Sequence, residues 1–507
     1  MATTIDVKVF VDKDKSKVLF AESGKDFVDV LFGFLTLPLG TVVRLLGKQS
    51  QAGCLDALYK SVEELPAAFF RTDACKAMLL APINGAAKKC CSLKVRVDDT
   101  KHRVVYVCGD TSCPALADAE FSSVPGAVCK CGTAMAKMAG ERPESGGGGG
   151  SGSGDRVFVR GDVEFIITDD LQVAPASTSL MLSLFDKFKV DDPSGLEQRT
   201  LELSSDKILG LLKRSLISKN PLTGHYFDVA IEPDDAGIDL LPQNLHPEQG
   251  NDAEQTLNSV KIKVLQTKNN SSVLYAEVGG DFVDLLFGLL SIPLGSIMKA
   301  YGKCASKGCF DNLYSSIDGS AEGCMIPECQ GLLLSPKLAP FFGCSASKIL
   351  QVEELSPNKQ SINACFKCFK IGGFANLTRC HERQYVNYGW KYLNCLVDPK
   401  TANLCEFNPK SPKGEESDDV EGYVKQGLQN FMVTDDLRVL PLSLACTLQV
   451  VREAKIQRKD LVEKEVTLTK SQMIELLKAA LVTRKALSTV LLPRKNKKLH
   501  HHSTGLY

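Results

Sequence analysis

The sequence predicts an α+β fold made of two tandem copies of a similar module, each with β-hairpins packed on apolar helices. Three observations predict it. Short stretches alternate apolar and polar residues, the pattern of a strand with one buried face. Between them lie apolar runs of helical length, with turn and cap residues at their ends. The third is repetition: KDFVDVLFGFLTLPLG at residues 25–40 and GDFVDLLFGLLSIPLG at residues 280–295 agree at 11 of 16 positions.

The elements follow in order. VKVFVDKDKSKVLFAE (residues 7–22) alternates across a polar turn and predicts a hairpin with strands near 7–11 and 18–22. Ser23 and Gly24 then stand where a helix cap belongs. From Phe27 to Leu37 the only polar side chains are Asp29 and Thr36, so this helix is expected to be buried on nearly every side. Pro38 either ends it or opens a second helix over 39–48. VEFIITDDLQVAP (163–175) reads as a second hairpin turning at Asp169-Asp170, with the helical STSLMLSLFDKF behind it. RTLELSSDKILGLLKRSLISK (199–219) gives a strand, a cap and an amphipathic helix.

Correspondence between the halves runs well past the long apolar motif. GCLDALY (53–59) answers to GCFDNLY (308–314), TDDLQVAPAS (168–177) to TDDLRVLPLS (434–443), and LLKRSL (211–216) to LLKAAL (476–481). The domain plan is therefore a first N-terminal part with a cysteine cluster (1–140), a Gly/Ser linker (141–155) and a first C-terminal part (156–230). An acidic connector (231–257) leads to a second N-terminal part (258–407), a polar loop (408–422), a second C-terminal part (423–492) and a basic tail (493–507). Two copies are too few for a solenoid, which leaves two similar globular halves.

Composition narrows the function classes. At 507 residues the chain exceeds a single core, and 44% hydrophobic with 24% charged residues is ordinary for a globular protein. Lys+Arg and Asp+Glu are both 60, so no global field recruits nucleic acid or acidic lipid. The stretch 27–46 is long enough to span a bilayer, but it contains Asp29, Pro38, Gly40 and Arg44, which favours a protein core over a membrane. Its N-terminus lacks a secretory or transit pattern, which predicts a cytoplasmic or nuclear protein. Its 19 cysteines should then be thiols or metal ligands.

The strongest chemical signal is YVCGDTSCPALADAEFSSVPGAVCKCGTAM, with Cys108, Cys113, Cys129 and Cys131. A C-x4-C pair and a C-x-C pair, the latter followed by glycine, offer four soft donors on two tight turns, which suits a closed, structural zinc site. The second half has Cys365, Cys368, Cys380 and His381, with Cys395 and Cys405 as further donors, but no second pair of matching form. Asp29 and Asp284 invite a reading as buried general bases. The simpler reading places them in the first turns of their helices, where acids favour the N-terminus. No histidine recurs between the halves, which disfavours a duplicated histidine-dependent centre.

The hairpin ending KVLFAE, the DFVDxLFGxLxxPLG helix, LLLSP, FMVTDDLRVLPLS and LLKAALVTRKAL together resemble the plant family defined by domain of unknown function 674. The resemblance covers nearly the whole chain. It implies a plant protein, often in tandem copies, with no established activity or catalytic residues; Cys108, Cys113, Cys129 and Cys131 fall where the family's cysteine cluster is expected. The expected function is a non-enzymatic intracellular interaction or scaffold protein with an unidentified protein partner and a structural zinc. One alternative is an enzyme using Asp29/Asp284 or the Asp169-Asp170/Asp435-Asp436 pairs. A second is nucleic-acid binding through the cysteine excursion, where four basic residues of 92–107 are offset by Asp98 and Asp99.

Overall fold

The computed structural model describes residues 3–98, 104–108, 110, 120–141, 156–190, 192, 195–230, 259–302, 308–357, 359–365, 370–372, 380–386, 389–395, 401–411, 422–427 and 430–493. Of the Gly/Ser linker only its first residue falls within these. The connector and all but the first residue of the basic tail lie outside them.

An α+β architecture is present, organised around two five-stranded antiparallel sheets. In the first, the order is Leu196–Leu203, Ile5–Asp12, Lys17–Ser23, Phe165–Thr168, Val173–Pro175. In the second it is Leu461–Leu468, Val260–Thr267, Val273–Val278, Phe431–Thr434, Val439–Pro441. The strand orders correspond one to one. Registers correspond as well: Ile5 opposes Leu203 as Val260 opposes Leu468, and each first hairpin is irregular at the same place, between Phe10 and Val11 and between Leu265 and Gln266. Alternation sets the faces. Ile5, Val7, Val9 and Val11 point into the core while the residues between them stay partly or fully exposed.

Both long apolar motifs form helices, Lys25–Phe34 and Gly280–Gly288. Every residue from Phe27 to Phe34 is buried, as is every residue from Phe282 to Gly288. Among the described residues no helix is long and apolar enough to cross a membrane. Pro38, with extended backbone, separates the first helix from Leu39–Leu45, as Pro293 separates its counterpart from Leu294–Tyr301. A proline offers no N–H and holds its neighbour extended, so the chain must turn there.

At that turn the halves meet. Pro38 and Pro293 form an antiparallel bridge, Leu39 N donates to Ile292 O at 3.0 Å, and Leu294 N donates to Leu37 O at 2.9 Å. Glycine at the next position on both sides permits this close approach, because a Cβ on Gly40 would lie a tight 3.1 Å from Leu290 O and one on Gly295 a tight 3.0 Å from Leu35 O. Further out, each half lends a helix to the other. Helix Leu55–Glu64 packs on strand Val439–Pro441, and helix Phe310–Ile317 packs on Val173–Pro175. One buried apolar cluster runs through both halves, with Phe34 edge-on to Phe310 and Phe70 stacked on Phe287. The halves are folded into each other, not strung side by side.

Residues 408–411, the start of the expected polar loop, are packed inward. Lys410 and Ser411 are buried, and Thr72 donates to Pro409 O at 2.8 Å.

Candidate metal centre

The sequence around the first cysteine cluster builds a small two-part support. Strand Val104–Val107 pairs with Lys137–Glu141 and delivers Cys108 at its end. A tight ribbon, Ala127–Val128 against Ala134–Met135, carries Cys129 and Cys131 on its turn. Within that turn Gly132 N donates to Cys129 O at 2.8 Å and Cys129 N donates to Thr133 O at 2.9 Å. Gly132 sits at φ +85°, a conformation that glycine adopts without steric penalty, which explains the glycine after the C-x-C pair.

The Sγ atoms of Cys108, Cys129 and Cys131 lie within 4.8 Å of one another, and those of Cys108 and Cys131 are 3.5 Å apart. Tetrahedral zinc with Zn–S bonds of about 2.3 Å needs sulfurs about 3.8 Å apart, so the cluster fits a thiophilic ion of that size. Cys108 and Cys129 are buried and Cys131 is exposed. Cys113, the fourth predicted donor, lies outside the described residues. Beside the turn, Lys130 is ion-paired with Glu120.

The site adjoins a third sheet shared by the halves. Its order is Lys370–Gly372, Lys359–Cys365, Thr401–Glu406, Glu120–Phe121, and the last pair is parallel, with Cys405 opposite Glu120. Ser122 exchanges two backbone hydrogen bonds with Tyr106, two residues before Cys108. The backbone register places the donors predicted in the second half as follows. Cys380 opposes Cys395 in a separate two-strand ribbon, Cys365 opposes Lys370, Cys405 opposes Lys359 on its other side, His381 opposes Asn394, and Cys368 lies outside the described residues.

The recurrent aspartates are placed differently from their first-turn expectation. Asp29 accepts hydrogen bonds from Phe158 N at 2.8 Å and Val159 N at 3.0 Å, far along the chain. Asp284 accepts from Tyr423 N, from Val424 N at 3.4 Å and from Ser345 Oγ at 3.3 Å. Each carboxylate thus holds an irregular strap, and each strap bonds to the opposite half. Ile326 N donates to Phe158 O and Arg71 N to Tyr423 O, both at 2.9 Å. An extended strap inside a core has N–H groups that no sheet satisfies, and a carboxylate within the apolar helix supplies the acceptor. Burial pushes the Asp29 carboxyl up to about 6, against the pull of those N–H bonds, and raises that of Asp284.

Asp169 and Asp435 are equally committed. Asp169 accepts from Thr223 N at 2.8 Å and from its hydroxyl at 2.6 Å; Asp435 accepts from Ser488 N and its hydroxyl, both at 2.7 Å. Thr223 and Ser488 lie in the first turns of helices Pro221–Tyr226 and Ala486–Leu491, so the turn acids anchor helix starts. Their neighbours Asp170 and Asp436 accept from Thr168 and Thr434. Sequence reasoning missed these partners, although a hydroxyl residue in each short C-terminal helix was the available signal.

It also missed a buried group at Asp284. The Lys410 ammonium lies 4.0 Å from the centre of the Tyr423 ring and donates to Gly343 O, while the Tyr423 hydroxyl donates to Phe342 O at 2.9 Å. The paired thiols are core groups: Cys54 donates to Thr483 O and Cys309 to Ser215 O, and burial pushes both thiols up. A raised thiol is a poor nucleophile.

Fold and site together define an α+β protein with a soft-donor cluster on a small β excursion. The chain belongs to the family described as "Protein of unknown function (DUF674)", whose model matches residues 1–471. No curated protein and no solved structure matches it.

Proposed function

We propose that this chain is a non-enzymatic interaction or scaffold protein of the plant cytoplasm or nucleus, duplicated in tandem from one repeat and stapled by a structural zinc. The observation that carries the reading is the convergence of Cys108, Cys129 and Cys131 from two separate strand pairs onto one point. Cys113, outside the described residues, is the fourth donor this reading assigns. With four protein donors, zinc has no open position for water, and its contribution is to folding.

The commitment of the recurrent carboxylates supports the non-enzymatic part. Asp29, Asp284, Asp169 and Asp435 each accept two or more hydrogen bonds at structural junctions, which are the sites an aspartate-based enzyme would need free. Local pairing also speaks against a nucleic-acid surface, since Lys94 pairs with Asp26 and Arg44 with Asp98.

Metal analysis of the full chain purified without chelator tests the zinc. About one zinc per chain is expected, falling several-fold in Cys129→Ser. A wild-type content far below that rejects the site. The interaction part is tested by cross-linked capture from plant extract: the same partner should be recovered in amounts comparable to the bait. Recovery no greater than a bait-free control rejects it.

A further inference from the structure

We infer that the surface through which the two halves hold each other is a self-association surface, and that the partner it fits is a second copy of the same repeat carried by another chain. This goes beyond the scaffold reading and stands on contacts between the halves alone, without reference to the thiol cluster.

The contacts are reciprocal. Cys54 N donates to Ala480 O at 2.7 Å, and Cys309 N donates to Ser215 O at 3.1 Å. Val439 N donates to Ser61 Oγ at 2.9 Å, and Val173 N donates to Ser316 Oγ at 3.0 Å. The bonds around Pro38 and Pro293 mirror each other in the same way, and that pair bridges to itself. An interface in which residue i meets j while the counterpart of j meets that of i is isologous, the geometry of a two-fold dimer. Contacts between two domains of one chain need no such symmetry.

Chemistry at the key positions makes the surface self-complementary. Proline at 38 and 293, glycine at 40 and 295, glycine at 53 and 308, cysteine at 54 and 309 and serine at 61 and 316 are identical pairs. Their partners are backbone groups, which every copy presents alike. A half without a partner would expose Phe34, Phe70 and the Pro38 turn, all fully or almost fully buried here, so it gains by capturing another copy. Several links among the described residues break the symmetry, among them the parallel pairing of Glu120–Phe121 with Cys405–Glu406, the bond from the Asn312 amide to Asp170 O, where the first half has Ala57, and the bond from the Thr72 hydroxyl to Pro409 O. Those links favour pairing of a first half with a second half over pairing of like halves without forbidding the latter.

The test uses the full chain with a protease site placed in the connector between residues 231 and 258. Light and isotope-labelled proteins are folded, cut, mixed, taken through denaturant and back, and weighed by native mass spectrometry. Three products are expected: hybrids of a light first half with a heavy second half in statistical proportion, pairs of two first halves, and pairs of two second halves. The unlike pairs should be the most abundant. Reassembly into unlike pairs only overturns the inference, as do halves that persist as monomers or fail to regain soluble complexes. Zinc content measured on the same cut sample reports separately on the metal.

Discussion

Gly308 stands against the backbone of Ser215 so closely that a Cβ at Gly308 would fall 1.8 Å from the Ser215 carbonyl oxygen. Its counterpart Gly53 would place a Cβ 2.3 Å from Ala480 O, and sits at φ +52° as well. The obstructing atoms are main chain, so neither contact can be relieved by a side-chain rotation. Gly308→Ala and Gly53→Ala should each lose about 1–3 kcal/mol or more in urea unfolding. Gly331, inside helix Pro327–Leu334 with nothing near its missing Cβ, is the control: Gly331→Ala should gain about 0.5–1 kcal/mol. Equal behaviour of all three variants would contradict the account of the junction.

Ser61 and Ser316 should behave as a pair. Each hydroxyl is buried, donates to a carbonyl one turn back at 2.7 Å or 2.8 Å, and accepts the N–H of Val439 or Val173 from the other half. Replacing either by alanine leaves a strand N–H without its acceptor in the core. The cost should be about 1–3 kcal/mol per site. In the double variant the losses should add, because the two junctions share no side chain. Unfolding midpoints unchanged by Ser61→Ala would show the hydroxyl to be dispensable.

Much of this was legible in the sequence, and what was not has a common cause. Alternation located the hairpins 5–12/17–23 and 165–168/173–175, and the absence of a polar face marked helix Lys25–Phe34 as buried. Cysteine spacing picked out three thiols that do converge. Period and spacing are local signals. The partners of Asp29 lie about 130 residues away and those of Asp169 about 50, and no local pattern in the sequence encodes such distances. The same limit applies to Lys410, which stands in the stretch NPKSPKGEESDD with no apolar pattern around it and is covered by Tyr423 and Gly343. Exchange of helices between the halves was invisible for the same reason, although the identical glycines at 53 and 308 were its trace.

Lys410 should be costly to neutralise. Its ammonium lies over Tyr423, donates to Gly343 O and holds the Asp284 carboxyl down against burial. Lys410→Met keeps the aliphatic stem but removes the donor and the charge. The loss should be about 1–3 kcal/mol where Asp284 is ionised, and should shrink as acid protonates that carboxyl and removes its need for the cation. A penalty independent of pH would separate Lys410 from Asp284.

Asp29 and Asp435 give the protein an unusual response to acid. Both carboxyls are pushed up from 3.8 to about 6 by burial. Between those values the folded chain binds more protons than the unfolded chain, so the contribution of each group to stability is full below about pH 4 and is lost as pH rises through 6. From these groups alone, stability should increase on going from pH 7 to pH 5, by up to about 1.4 kcal/mol per unit per group within the window. Asp29→Asn removes one titration and keeps an oxygen for Phe158 N and Val159 N, so its unfolding free energy should vary less with pH than that of the wild type, and the difference should appear between pH 4 and 6. Asp29→Ala removes the acceptor too. It should lose about 2–4 kcal/mol through the two stranded N–H groups. Urea titrations of the three proteins at pH 5, 6 and 7 decide the matter: parallel pH profiles for wild type and Asp29→Asn would mean that this carboxyl titrates alike in the folded and unfolded chain.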